Sequence, residues 1–205
     1  MKILFQGDSI TDCARSRDND SFLGGGYPLL IDGELGVTYP NEHLVINRGV
    51  SGDRIVDIYA RMKKDIINLA PDVMSILVGV NDVWHERDVQ NGVDGEKFFK
   101  VYSMLLEEVK EAFPNIKLIV LEPFVLLGAG SELRYEWFRK EVEIRAQKAK
   151  EVAEKYGAIF VPLQKEFDDL CKVAPATFWL GDGVHPTAHG HEVIKRQWLK
   201  AFKNL

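Results

Sequence analysis

Only two cysteines, Cys13 and Cys171, occur in 205 residues, too few for a disulfide framework and outside any C-x-x-C spacing. A reducing, cytoplasmic location is therefore expected. Basic residues are outnumbered, 26 Lys and Arg against 31 Asp and Glu, for a net charge of −5, and they form no run that could follow a phosphate backbone. Nucleic acid is not an expected partner. Long apolar runs are also missing: Ile116 to Gly130 is interrupted by Lys117, Glu122 and Pro123 and falls short of the roughly 18 residues a membrane helix needs. No membrane partner is expected. A leader takes about 15 to 30 residues, with a charged start and an apolar middle, whereas this sequence reaches Gly7-Asp8-Ser9 almost at once, so no leader is expected. No repeat, low-complexity tract or linker divides the chain, so one domain over residues 1–205 is expected.

What is present is an alternation of segment types. Short β-rich runs at 2–6, 44–47, 73–78, 116–121 and 158–161 are separated by longer stretches with helical periodicity. One stretch aligns Phe98, Val101, Tyr102, Leu105, Val109 and Ala112; another aligns Phe138, Val142, Ala146, Ala149, Ala153 and Tyr156. Strand and helix in alternation predict an α/β fold, because parallel neighbours need helical crossovers that cover both faces of the sheet. The common five-stranded, flavodoxin-like version is a three-layer α/β/α sandwich with a parallel sheet of order 2-1-3-4-5, and its ligands sit beyond the carboxyl ends of strands 1 and 3. On that order the ends of strands 1, 2 and 3, near Ser9, Gly49 and Asn81, lie side by side.

Those three positions suit acyl chemistry. Ser9 follows a strand and a Gly-Asp pair, where a hydroxyl stands clear of the sheet and its own N–H can face an oxyanion. Far along the chain, Asp182 precedes His185 by three residues, an offset that lets the carboxylate accept from Nδ1 and leaves Nε2 free to take a serine proton. Gly49 can offer a backbone N–H and Asn81 its Nδ2–H to the same oxyanion. Pro186 suits the first position of the last helix, giving His185 a rigid entry.

The blocks Gly7-Asp8-Ser9-Ile10-Thr11, Arg48-Gly49-Val50-Ser51-Gly52, Gly79-Val80-Asn81-Asp82 and Asp182-Gly183-Val184-His185-Pro186, in this order, resemble those of the SGNH, or GDSL, hydrolases, a family of serine esterases and acylhydrolases. The resemblance implies Ser9 as nucleophile, Ser9, Gly49 and Asn81 as oxyanion donors, Asp182 and His185 as the rest of a triad, and no cofactor or metal. More narrowly, Ser9 to Cys13, Gly24 to Tyr27, Val80 to Trp84 and Val184 to His191 resemble small bacterial acetylxylan esterases. That implies deacetylation of xylan-derived oligosaccharides, with oligomers common among the relatives. Trp84 and Trp179 lie three residues from Asn81 and Asp182, where flat rings could stack on a sugar, and Asp8 adjoins the nucleophile; all three are candidate substrate contacts, although Asp8 also suits a turn cap.

Competing readings exist for several residues. Ser51 lacks the G-x-S-x-G spacing of a nucleophile elbow. His185, His189 and His191 could suggest zinc, but Pro186 places His185 ahead of the helix and no H-E-x-x-H accompanies them. Gly24-Gly25-Gly26 lacks the Lys-Ser/Thr of a phosphate loop and reads as a flexible loop near the cleft. Cys13 reads as a small buried hydrophobe. A lipid-directed acylhydrolase, a metal-dependent deacetylase and a non-catalytic carbohydrate-binding module are the alternative functions.

Overall fold

The structure, a computed structural model, describes all 205 residues. Five strands, β1 (Lys2–Gly7), β2 (Leu44–Asn47), β3 (Val73–Leu77), β4 (Lys117–Leu121) and β5 (Ile159–Val161), form one parallel sheet of order β2-β1-β3-β4-β5. Both the fold class and the strand order agree with the sequence reading. Each strand is apolar on both faces because both are covered, and successive side chains alternate between two cores. Thus Ile3 and Phe5 enter one core and Leu4 the other; Val73 and Leu77 enter the first, Met74 and Ile76 the second.

The first core lies under α2 (Tyr27–Thr38) and α10 (Ala188–Phe202), which contribute Tyr27, Ile31, Leu35, Ile194 and Trp198. The second lies under α3 (Ile55–Ala60), α6 (Gly95–Ala112) and the outer half of α7 (Tyr135–Tyr156). Helix α6 starts where the Asp94 carboxylate accepts the Lys97 N–H at 2.9 Å, and it buries Phe98, Tyr102, Leu105 and Val109. Ala112, expected on that face, is exposed in the last turn. Each fully buried aromatic or aliphatic side chain contributes about 1.5–3 kcal/mol, so Phe98→Ala would cost about 3–5 kcal/mol. One polar residue interrupts β3: Ser75, whose hydroxyl accepts the Trp198 indole N–H at 2.9 Å and so locks α10 onto the sheet. Of the remaining helices, α1 (Ser9–Asp12), α5 (Val80–Val89) and α9 (Ala176–Trp179) border the site or its neighbour; α4 (Met62–Asp65) and α8 (Gln164–Leu170) complete the connections.

Two local expectations are corrected. Gly24 to Gly26 do not form a loose loop: a Cβ on Gly24 would stand 2.5 Å from the Cys13 carbonyl, and one on Gly26 2.9 Å from the Cys13 side chain. These glycines let the chain pass hard against the end of α1 and open α2, whose N-cap is Gly26. Pro186 is not the first helical residue of α10. Thr187 caps that helix by accepting the Gly190 N–H at 3.3 Å, which leaves Pro186 one residue outside, paired antiparallel with Leu180.

Candidate active site

At the carboxyl end of β1 the chain turns through Asp8, whose Oδ1 accepts the Ile10 N–H at 3.0 Å and so caps α1. Ser9 becomes the first residue of that single turn. Its N–H, among the helix-start donors that no carbonyl of the helix can reach, has no acceptor elsewhere in the protein. Asp8 itself is 1% exposed, so it cannot touch a substrate; the expectation that it does is corrected by its burial.

The opposing side comes from a hairpin. Leu180 pairs with Pro186, and the Gly181 N–H donates to the His185 carbonyl at 2.9 Å, which leaves Asp182 and His185 on the turn between. Asp182 Oδ1 accepts the N–H groups of Val184 (2.9 Å) and His185 (2.7 Å), while Oδ2 lies 2.7 Å from His185 Nδ1. Burial acts to raise the Asp182 carboxyl, but these donors outweigh it and hold the group below the usual carboxylate range. A carboxylate at Nδ1 fixes the proton there and turns a bare Nε2 outward. His185 Nε2 stands 2.8 Å from Ser9 Oγ, across 176 residues of sequence.

The third wall is α5, which begins at the end of β3 with Asn81 on its first turn. One Asn81 amide hydrogen goes to the Asp53 carbonyl at 3.2 Å, leaving the other for the cleft. Ser9, Ser51, Gly52, Asn81, Trp84, His85, Asp88, Val89 and His185 line a single cleft of about 500 Å³. Gly52, not Gly49, faces it. The Gly49 N–H is donated to Asn47 Oδ1 at 2.9 Å, and a Cβ there would lie 2.4 Å from the Asp12 nitrogen, so this glycine serves a close crossing of two chain segments. Gly52 has a φ of +88°, open space around it, and an N–H without a protein acceptor. The glycine whose N–H is free at the cleft thus stands three residues beyond the expected one. The loop is held from outside the cleft: Arg15 Nε and Arg17 donate to the Gly49 carbonyl at 2.7 and 2.8 Å, and Asp12 accepts both the N–H and the hydroxyl of Ser51.

The two tryptophans part company. Trp84 lines the cleft with its ring centroid 5.9 Å from that of His185, and its indole N–H donates to Asp88 at 2.7 Å. Trp179 faces away: its N–H goes to the carbonyls of Leu170 and Ala174, and its ring lines a separate groove with Phe178 and His189. As a candidate substrate contact it is corrected: Trp179 ends α9, where its indole N–H is taken by carbonyls of residues 170 and 174 and its ring lies in the separate groove, whereas Asp182 sits on the turn that follows. The histidines are dispersed as well. His189 stacks on Phe178 at 4.2 Å, while His191 is buried, accepts the Tyr27 N–H through Nδ1 at 3.2 Å and places Nε2 3.6 Å from Cys13 Sγ.

Beneath the cleft lie two fully buried carboxyls. Burial raises Asp8 to about 7 and Asp82 to about 8, partly offset by the backbone N–H groups of Ile10 and Ile55 that each accepts. Asp82 joins the start of α5 to the start of α3.

With this geometry in hand, comparison with known proteins is decisive. Residues 5–193 match the model of the GDSL-like Lipase/Acylhydrolase family. The chain belongs to that family. It is accordingly a serine hydrolase of carboxylic ester bonds. An acetylxylan esterase from Geobacillus stearothermophilus is 34% identical over 206 residues, covering 97% of this chain and 92% of that protein. Among solved structures, that bacterium's acetylxylan esterase Axe2 superposes with a TM-score of 0.85 at 33% identity, covering 98% of this chain and 93% of its own. A candidate GDSL-like lipase from Parabacteroides merdae gives 0.93 at 34% identity, covering 98% and 95%. In this GDSL chain the Gly7-Asp8-Ser9 block stands at the end of the first strand.

Proposed function

We propose that this GDSL hydrolase removes short acyl groups, acetyl above all, from hydroxyl-bearing alcohols such as xylan-derived oligosaccharides, through a Ser9-His185-Asp182 triad. The observation that carries the reading is the unbroken chain from Ser9 Oγ to His185 Nε2 at 2.8 Å and from His185 Nδ1 to Asp182 at 2.7 Å. In the first step Ser9 Oγ attacks the ester carbonyl as His185 Nε2 takes its proton, and the resulting imidazolium is stabilised by Asp182. The carbonyl oxygen becomes an oxyanion facing three donors: the Ser9 N–H, the Gly52 N–H and the free Asn81 Nδ2–H. His185 then returns the proton to the leaving alkoxide, giving the free alcohol and an acyl-Ser9 ester. Water, deprotonated by the same nitrogen, attacks that ester and releases the acid and Ser9.

Support for a small acyl group comes from the cleft wall. Of its nine lining residues only Trp84 and Val89 carry hydrophobic side chains, and a hollow of about 500 Å³ has to hold the alcohol as well as the acyl group, which leaves little room for a long fatty chain. Support for the roles comes also from the Geobacillus esterase, of which a serine-to-alanine and an aspartate-to-alanine variant are described as catalytic mutants. A homo-oligomer and a cytoplasmic location belong to the same reading by analogy and by the cysteine content. The test offers p-nitrophenyl acetate, butyrate and octanoate beside acetylated xylo-oligosaccharides and measures released acid. Acetate and the acetylated sugar should be preferred; a preference for octanoate would transfer the chain to the lipid-directed acylhydrolases.

A further inference from the structure

The cleft's polar side chains divide into those that already bond to at least one protein group and one that bonds to none. Ser9 pairs with His185, His185 with Asp182, Asn81 with the Asp53 carbonyl, Ser51 with Asp12, and Asp88 with both Trp84 and Arg87. His85 is the exception. It is half-exposed, lines the same cleft, and neither ring nitrogen bonds to any protein atom.

Its position is set by the helix. Asn81, Trp84, His85 and Asp88 recur at three- and four-residue spacing, so they form one stripe along α5 that runs from the strand tips outward. Four residues of rise place His85 about 6 Å beyond Asn81 along the axis, roughly one sugar ring's reach from the carbonyl that Asn81 would hold. Trp84 beside it is immobilised, with Asp88 on its N–H and the Arg87 guanidinium 5.3 Å over its ring. An acetyl group has one hydrogen-bonding carbonyl oxygen, and on the proposed reading the Ser9, Gly52 and Asn81 donors take it. A ring hydroxyl can bond to an imidazole, as donor to one nitrogen or acceptor from the other.

The geometry points to His85 as the residue that recognises the alcohol half of the ester, hydrogen-bonding a hydroxyl next to the acylated oxygen while Trp84 forms the adjoining wall. This rests on the reading of Ser9 as nucleophile and of a hydroxyl-bearing ester as substrate. It makes His85 a specificity residue rather than a catalytic one: it rewards substrates with a neighbouring hydroxyl and gives nothing to those without.

The test measures kcat/KM for acetylated xylobiose and for p-nitrophenyl acetate, whose alcohol has no second hydroxyl, on the wild type and on His85→Ala, His85→Leu and His85→Gln. In the first two, the ratio of the sugar ester to the aryl ester should fall about tenfold, mainly through KM, as expected for one lost hydrogen bond to a partly open site. His85→Gln, which keeps a donor and an acceptor at similar reach, should restore most of the ratio. An equal loss on both substrates, or an unchanged ratio in whichever of His85→Ala and His85→Leu folds as judged by circular dichroism, overturns the inference and leaves the esterase reading standing. Wild-type enzyme that cleaves the aryl ester and ignores acetylated xylobiose overturns the inference together with the sugar-ester substrate it rests on.

Discussion

Two aromatic-lined hollows mark the surface of this GDSL hydrolase, and the larger is not the one equipped for chemistry. The groove between α8, α9 and α10 encloses about 680 Å³, with Phe178, Trp179 and His189 on its walls. The cleft at the strand tips encloses about 500 Å³. The difference lies in where the walls come from. The groove is built by helical segments between residues 166 and 203, so its residues are near neighbours in sequence, and it holds no serine beside a histidine and a carboxylate. The cleft gathers residues 9, 51–52, 81–89 and 185 from separate crossovers, because parallel strands deliver all their carboxyl ends to one edge. Volume measures room, whereas catalysis needs convergent donors, an acceptor and a nucleophile held within hydrogen-bond reach.

Mutation can break or sharpen this contrast. Ser9→Ala should lower kcat on p-nitrophenyl acetate by about 10⁶-fold, against less than about twofold for Phe178→Ala in the groove. A mild loss at Ser9 would erase the distinction between the hollows. Next in size, Asn81→Ala should cost about 10²–10³-fold in kcat, with KM for the same ester little changed, as for a donor used chiefly in the transition state. A rise in KM alone would recast Asn81 as a binding residue. Trp84→Ala should weaken kcat/KM for acetylated xylobiose by about tenfold, whereas Trp179→Ala should lower Tm and leave kcat/KM of the folded enzyme within about twofold; the reverse pattern would move the substrate into the groove.

The smallest effect concerns stability. Asp8 and Asp82 sit beneath the cleft, with burial raising their pKa values to about 7 and about 8. Between the ordinary carboxylate range and those values the folded protein holds protons that the unfolded chain has released, so stability falls as pH rises through that window. Tm should therefore drop from pH 7 to pH 9, and Asp82→Asn, which has no proton to lose, should narrow the drop by about 3 °C. A differential scanning fluorimetry series in which wild type and Asp82→Asn follow parallel lines would refute this.

The architecture was legible in the sequence because strand alternation and helical stripes are local signals: all five strands lie within a residue or so of their expected bounds, and the strand order follows. Ser9, Asn81, Asp182 and His185 were legible for a related reason. Each is a polar residue just beyond an apolar run, or on a turn too short to point many ways. Gly49 and Gly52 were not separable. They lie three apart in one loop, and the choice turned on Asn47 folding back to take the Gly49 N–H, a contact no spacing encodes. Trp84 and Trp179 were equally near their partners in sequence, but one rides a helix that points along the cleft and the other ends a short helix, its indole held by the carbonyls of Leu170 and Ala174. His85 gave no signal at all, since what sets it apart is an absence of partners that becomes visible only in three dimensions.

The hydrogen bond between Ser9 and His185 spans 176 residues. Asp182 and His185 reach it as one preassembled unit, clipped together by Leu180 and Pro186. On the proposed triad, ester cleavage is a property of topology completed: a molecule in which the 180–186 hairpin has come away from the strand tips keeps every reactive group intact and leaves Ser9 without its base. Hydrolytic rate in this enzyme thus doubles as a gauge of whether its most distant segments have found each other.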